Sequence, residues 1–234
     1  MTPLPLVALG FVLGVRHATD TDHVVAVTAL VSRERSFRSA LALGGFWGLG
    51  HMLTLLAIGG AIVACGLVIP RHVGLWLEMT VAVMLVLLGA ANLGARAAVR
   101  TQPPHGAVPT SRKGAPRGAL GVWLRRGSRS LVVGAVHGLA GSAAVALLVL
   151  TAERRVLPAL GYLALFGAGT ILGMLLVTAT FVVPLRVATT RFASLERAIA
   201  RATGVLSVAV GLFLAYRIGF VDGLLFGHAA AVSD

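Results

Sequence analysis

Three stretches of this chain, 39–70, 130–152 and 156–185, contain no Asp, Glu, Lys or Arg. Each is long enough to cross a hydrocarbon core, which takes about 20 apolar residues in helical conformation. A helix satisfies its own backbone hydrogen bonds, so such runs belong in a bilayer as helices. Of the 234 residues, 57% are hydrophobic and 12% charged, whereas ordinary soluble domains are about one quarter charged. A water-soluble globule is excluded, and the chain reads as an all-α integral membrane protein with one membrane domain.

Apolar runs set against loop signals predict six transmembrane helices, near 4–31, 39–69, 72–99, 129–152, 156–184 and 200–221. The one long connection, Arg100 to Ser128, holds Pro103, Pro104, Pro109 and Pro116 among basic residues, a composition that builds no core. It separates a first three-helix unit, 1–99, from a second unit with a short tail, 129–234, and the basic loop 100–128 between them is expected to be cytoplasmic. Met1–Leu13 carries no positive charge and does not read as a cleaved signal peptide.

The net charge of +12 comes almost wholly from arginine. Those arginines sit in short connections between apolar runs, which argues against nucleic acid as a partner and for the retention of cationic loops in the cytoplasm. With both termini outside, fifteen of the 20 Lys and Arg residues fall on the inner side. A multi-pass protein of the cell membrane with external N- and C-termini is the expectation.

The two units echo one another at an offset near 120 residues. Gly14-Val15-Arg16-His17 returns as Gly134-Ala135-Val136-His137, Gly48-Leu49-Gly50-His51 as Gly167-Ala168-Gly169-Thr170, and Leu77-Glu78 as Leu195-Glu196. A unit with an odd number of spans enters the membrane the opposite way when duplicated. The expected architecture is therefore a 3+3 inverted repeat, which in transporters places the site at the repeat interface near the midplane.

The first span carries the chemistry. Its apolar residues flank Arg16-His17-Ala18-Thr19-Asp20-Thr21-Asp22-His23, and each ionisable group at a helix centre costs about 2.5–3.5 kcal/mol on insertion scales. Were 16–23 an aqueous loop, the helix before it would span roughly 22 Å, short of the ~30 Å core. The cluster must then face protein, water or an ion. On one regular helix Asp22 would point about 140° away from His17, so a single ion could be reached by all four groups only if the helix unwinds locally into two half-helices around a polar break. Two imidazoles and two carboxylates suit nickel, cobalt or zinc, and the single cysteine, Cys65, offers no thiolate pair. A pairing of Arg16 with Asp20, one turn apart, would leave Asp22 as the carboxylate nearer the ion.

His51 in the second span and His137 in the fourth are further candidates to bind metal or line its path, both set among small residues that let helices approach closely. Glu78 and Asn92 are polar positions of the third span, with Glu78 expected at the membrane interface. His72, His105 and His228 fall in loops or the tail and are expected to be solvated.

His17-Ala18-Thr19-Asp20-Thr21-Asp22-His23 resembles the H-x4-D-H signature of the nickel/cobalt transporter family, with His17, Asp22 and His23 at the matching positions. Leu49-Gly50-His51 resembles that family's second motif, and His137-Gly138-Leu139-Ala140-Gly141-Ser142 looks like its shorter, urease-associated nickel permease branch. Thr19, Thr21 and Met52 depart from the family pattern. The resemblance implies a permease whose first motif selects the metal.

The metal-site set expected is therefore His17, Asp20, Asp22, His23, His51 and His137, serving a secondary transporter of a divalent transition metal, nickel first and cobalt second. No prosthetic group and no catalysis are expected. The partners are the metal ion, the lipid bilayer and a cytoplasmic metallochaperone. A dication entering a negative cytoplasm gains roughly 4.6 kcal/mol per 100 mV, which favours uptake. An intramembrane hydrolase using the aspartates is the rival from another class, but no H-E-x-x-H pattern accompanies them. A small-solute exporter is the other, although only Arg16 would serve an anion within a span.

Overall fold

The computed structural model describes residues 3–32, 34, 36–67, 69–94, 126–140, 156–191 and 193–225. Every regular element among them is helical. Helix α1 covers Pro3–His17, α2 covers Thr21–Val31, and α3 covers Phe37–Thr54 before running through a π-helical turn, Leu55–Gly59, into Gly60–Cys65. Helix α4 is Arg71–Gly94, α5 is 126–140, α6 is Val156–Arg191, and α7 is Ala193–Tyr216, closing in a second π-helical turn, Arg217–Val221.

Among the described residues four segments are long and apolar enough to cross a bilayer: Phe37–Cys65, Arg71–Gly94, Val156–Pro184 and Ala198–Val221. Large apolar side chains on them point away from the protein, Leu87 being 64% and Phe213 63% exposed, as lipid-facing positions do. This is a multi-pass membrane protein. Most of the loop 100–128, the end of the expected fourth span after 140, His105 and His228 lie outside the described residues.

The predicted 4–31 span is two helices. Its first half ends at His17 and the second starts at Thr21, with Asp20 in extended conformation (φ −61°, ψ 147°). No Pro or Gly breaks it. Thr and Asp side chains compete for backbone groups and weaken a helix interior: Thr19 Oγ1 donates to the Arg16 carbonyl at 2.6 Å, and the amides of Thr19 and Asp20 turn back onto the carbonyls of Arg16 and His17 at 2.9 and 3.0 Å. Asn92 anchors the second half-helix, its Nδ2 donating to the Ala29 carbonyl at 2.6 Å. The helix that begins at Val156 outruns its predicted end, continuing past Pro184 to Arg191.

Helix α1 packs along α6, α3 along α6, and α4 along α7. At three helix crossings among the described residues the backbones approach so closely that only glycine fits, and the six glycine contacts there come in matched pairs. A Cβ on Gly14 would strike the Phe166 carbonyl, and one on Gly134 the Trp47 carbonyl. One on Gly169 would strike the Phe11 carbonyl, and one on Gly50 the Leu131 carbonyl. A Cβ on Gly89 would come within 2.6 Å of the Gly204 carbonyl, and one on Gly211 within 2.7 Å of the Ala82 carbonyl. In each pair the residues of one contact map onto those of the other by a shift of about 120 positions, the offset of the sequence echo.

Candidate metal centre

The helix break opens the site. Helix α1 ends there and presents the partial negative end of its dipole, which suits a cation. Helix α2 begins there, and Asp22 in its first turn offsets the positive end. His17 and His23 face each other across the break with ring centroids 4.4 Å apart.

Helix α3 contributes His51, fully buried, with ring centroids 5.4 Å from His17 and 5.3 Å from His23. The π-helical turn that follows it at Leu55 is a distortion often met beside functional residues. Helix α5 contributes His137, 2% exposed, 4.1 Å from His23 between ring centroids. Four imidazoles from four helices thus share one pocket within the bundle.

The two aspartates do different things. Asp22 lies between two rings, its Oδ1 3.2 Å from His23 Nδ1 and its Oδ2 3.1 Å from His137 Nε2. Asp20 is 54% exposed, and its Oδ2 takes a hydrogen bond from His17 Nδ1 at 2.8 Å. The expected Arg16–Asp20 pairing is replaced by this contact, because the break turns Asp20 off the helical path on which Arg16 lies.

These carboxylates decide which nitrogens remain free. With Nδ1–H donated to aspartate, a neutral imidazole exposes the lone pair of Nε2. His17 Nε2, His23 Nε2, His137 Nδ1 and both nitrogens of His51 are buried without a hydrogen-bond partner among the described residues. Leaving a buried polar atom unsatisfied costs about 1–3 kcal/mol, so these five ring nitrogens call for a compensating interaction, and a metal ion would supply it to those that present a lone pair. Two sets of three groups have ligand atoms within 4.8 Å of one another, His17 with His23 and His51, and Asp22 with His23 and His137. Asp20 stands outside both, as the carboxylate behind a ligand-type histidine.

Of the six residues expected at the site, five therefore converge and Asp20 buttresses one of them. Trp47 was not expected. It is fully buried, lies 5.6 Å from the rings of both His23 and His137, and its Nε1 has no partner among the described residues. Its position one helical turn before His51 is the signal that places both on one face. Phe166 covers His17 from α6 at 5.3 Å.

A cavity of about 250 Å³ leads from His17, Asp22, His23 and His137 to Glu78, Arg217 and Asp222. Glu78, expected to be merely interfacial, lines the same space as the imidazoles. His72 is exposed at the start of α4, as expected of a solvated histidine.

No protein-family model and no solved structure matches this chain. It is 34% identical over 232 residues to the urease accessory protein UreH of Bacillus sp. (strain TB-90), an alignment covering 94% of this chain and 95% of the relative. Identity of that extent runs along nearly the whole of both chains, and the chain belongs to the family of the urease accessory protein UreH.

Proposed function

We propose that this protein is a secondary transporter that takes up a divalent transition metal, nickel first and cobalt second, and that it performs no catalysis. The carrying observation is the set of buried imidazole nitrogens without partners at the break of the first span. A discontinuous helix with its polar break inside the bundle is the arrangement transporters use for ions. Imidazoles with one carboxylate are ligands of borderline hardness, which suit nickel, cobalt and zinc better than magnesium or calcium.

Nickel stands first for two reasons. The H-x4-D-H signature resembles that of nickel/cobalt transporters, and the relative is by name an accessory of urease, matching the urease-associated branch that His137 and its neighbours resemble. A cytoplasmic metallochaperone would receive the ion.

The matched glycine crossings support a 3+3 inverted repeat. In that arrangement the Gly14–Phe166 and Gly134–Trp47 contacts are the same contact made twice, and His17 beside Phe166 corresponds to His137 beside Trp47. The arginine bias supports external termini. Coordination would proceed by exchange of the ion's waters for imidazole nitrogens, with Asp22 neutralising part of its charge and Asp20 holding His17 in the tautomer that binds. Rocking of one unit against the other would then expose the ion to the cytoplasm.

Uptake by vesicles containing the purified protein, with nickel, cobalt, zinc and manganese compared under an inside-negative potential, tests this reading. Nickel and cobalt should accumulate and manganese should not. Absence of potential-driven accumulation of any of the four would refute it.

A further inference from the structure

The cavity does not end at the imidazoles. At its far end lie Glu78 of α4 and, after α7, Arg217 and Asp222. Arg217 Nε lies 3.8 Å from Asp222 Oδ2, and Arg71 Nη2 donates to the Asp222 carbonyl at 3.3 Å. Asp222 is thereby matched by a cation. Glu78 is exposed and lines the cavity, with Asp222 and Arg217 as its nearest charged neighbours there.

At the inner end of the same cavity His23 and His137, each 2% exposed, carry ring nitrogens without partners. Asp22, 32% exposed, stands beside them. A hydrated dication coming in from this mouth meets Glu78 first and Asp22 next. Elsewhere among the described residues Ser39 Oγ donates to Glu34 Oε2 at 2.6 Å and Arg126 Nη1 reaches Glu34 Oε1 at 3.2 Å, linking the α2–α3 connection to α5.

We propose that Glu78 is the capture residue of this cavity, a carboxylate that draws the hydrated divalent cation into the mouth and hands it to Asp22 and the imidazoles, while Arg217 opposes the same cation and limits its capture. This rests on the metal-transport reading and names a residue for its first step. Acidic groups in excess along a cleft, as Glu78, Asp222 and Asp22 are over Arg217 here, concentrate cations and raise association rates, whereas they have little effect on how fast a ligated ion leaves. Glu78 acts on arrival and the imidazoles act on retention.

The test is stopped-flow nickel association with the purified full-length protein in detergent, followed by a competing metal-indicator dye. Glu78→Gln should slow association about five- to tenfold at low ionic strength, with dissociation unchanged, and the difference should shrink as salt screens the mouth. Arg217→Gln should accelerate association, a change of sign that loss of folding cannot produce. Glu78→Asp should behave as wild type.

Wild-type protein that binds no nickel would refute the transport reading itself. Wild-type binding with Glu78→Gln association within twofold of normal would overturn this inference alone, as would a loss of affinity carried by faster dissociation.

Discussion

The Asp22 carboxylate meets the His137 imidazole at 3.1 Å and so joins the break in the first span to α5, in the other half of the chain. Its second oxygen holds His23. One carboxylate thus orients two rings whose remaining nitrogens face the pocket, while Asp20 does the same for His17 from the exposed side.

The two aspartates should therefore separate on substitution. Asp22→Asn keeps the shape but loses the charge and one acceptor, and should nearly abolish nickel uptake. Asp20→Asn removes only the group behind His17 and should weaken metal affinity about 10–100-fold, the usual cost of a lost partner behind a ligand. Uptake and equilibrium binding measured on both variants check the order, and equal losses would contradict the division of roles.

His137→Ala should lower uptake as severely as His23→Ala, although His137 lies outside the first-span cluster, whereas His72→Ala should leave it unchanged because His72 is exposed at the start of α4. Vesicle uptake with the three variants decides this. Wild-type rates in His137→Ala would confine the site to the first half of the chain.

Close helix crossings make a prediction about stability. Gly14→Ala and Gly134→Ala each place a methyl against a carbonyl of the facing helix, and each should destabilise by about 1–3 kcal/mol, as overpacking does. Because the two crossings correspond, the losses should be similar. Gly74→Ala, whose Cβ would meet nothing within 4 Å, should be neutral or stabilising. Thermal unfolding in detergent measures all three.

Orientation is testable with one cysteine. In a Cys65→Ser background, Ser111→Cys in the basic loop should resist an impermeant thiol reagent in intact cells and react after permeabilisation. Ready labelling in intact cells would reverse the topology.

Much of this site was legible before the fold was known, for a physical reason. Ionisable residues are so costly in a span that Arg16–His23 had to face protein, water or an ion, and helical geometry alone showed that His17 and Asp22 needed a break to converge. What sequence could not supply was the company these residues keep. The pairing of Asp20 with His17 instead of Arg16 depends on the backbone turn at 18–20, which no periodicity predicts. Trp47 looked like one more apolar residue of a Gly-rich helix. Glu78 stands near the end of a span, and depth does not reveal that the end of α7 lines the same cavity.

Nickel X-ray absorption on the purified, metal-loaded protein tests the central claim most directly. The account predicts nitrogen scatterers at about 2.0–2.1 Å, by analogy with other imidazole–metal distances, carrying the outer-shell signature of at least three imidazoles, and loss of part of that signature in both His51→Ala and His137→Ala. A spectrum of oxygen ligands alone, unchanged in those variants, would contradict it.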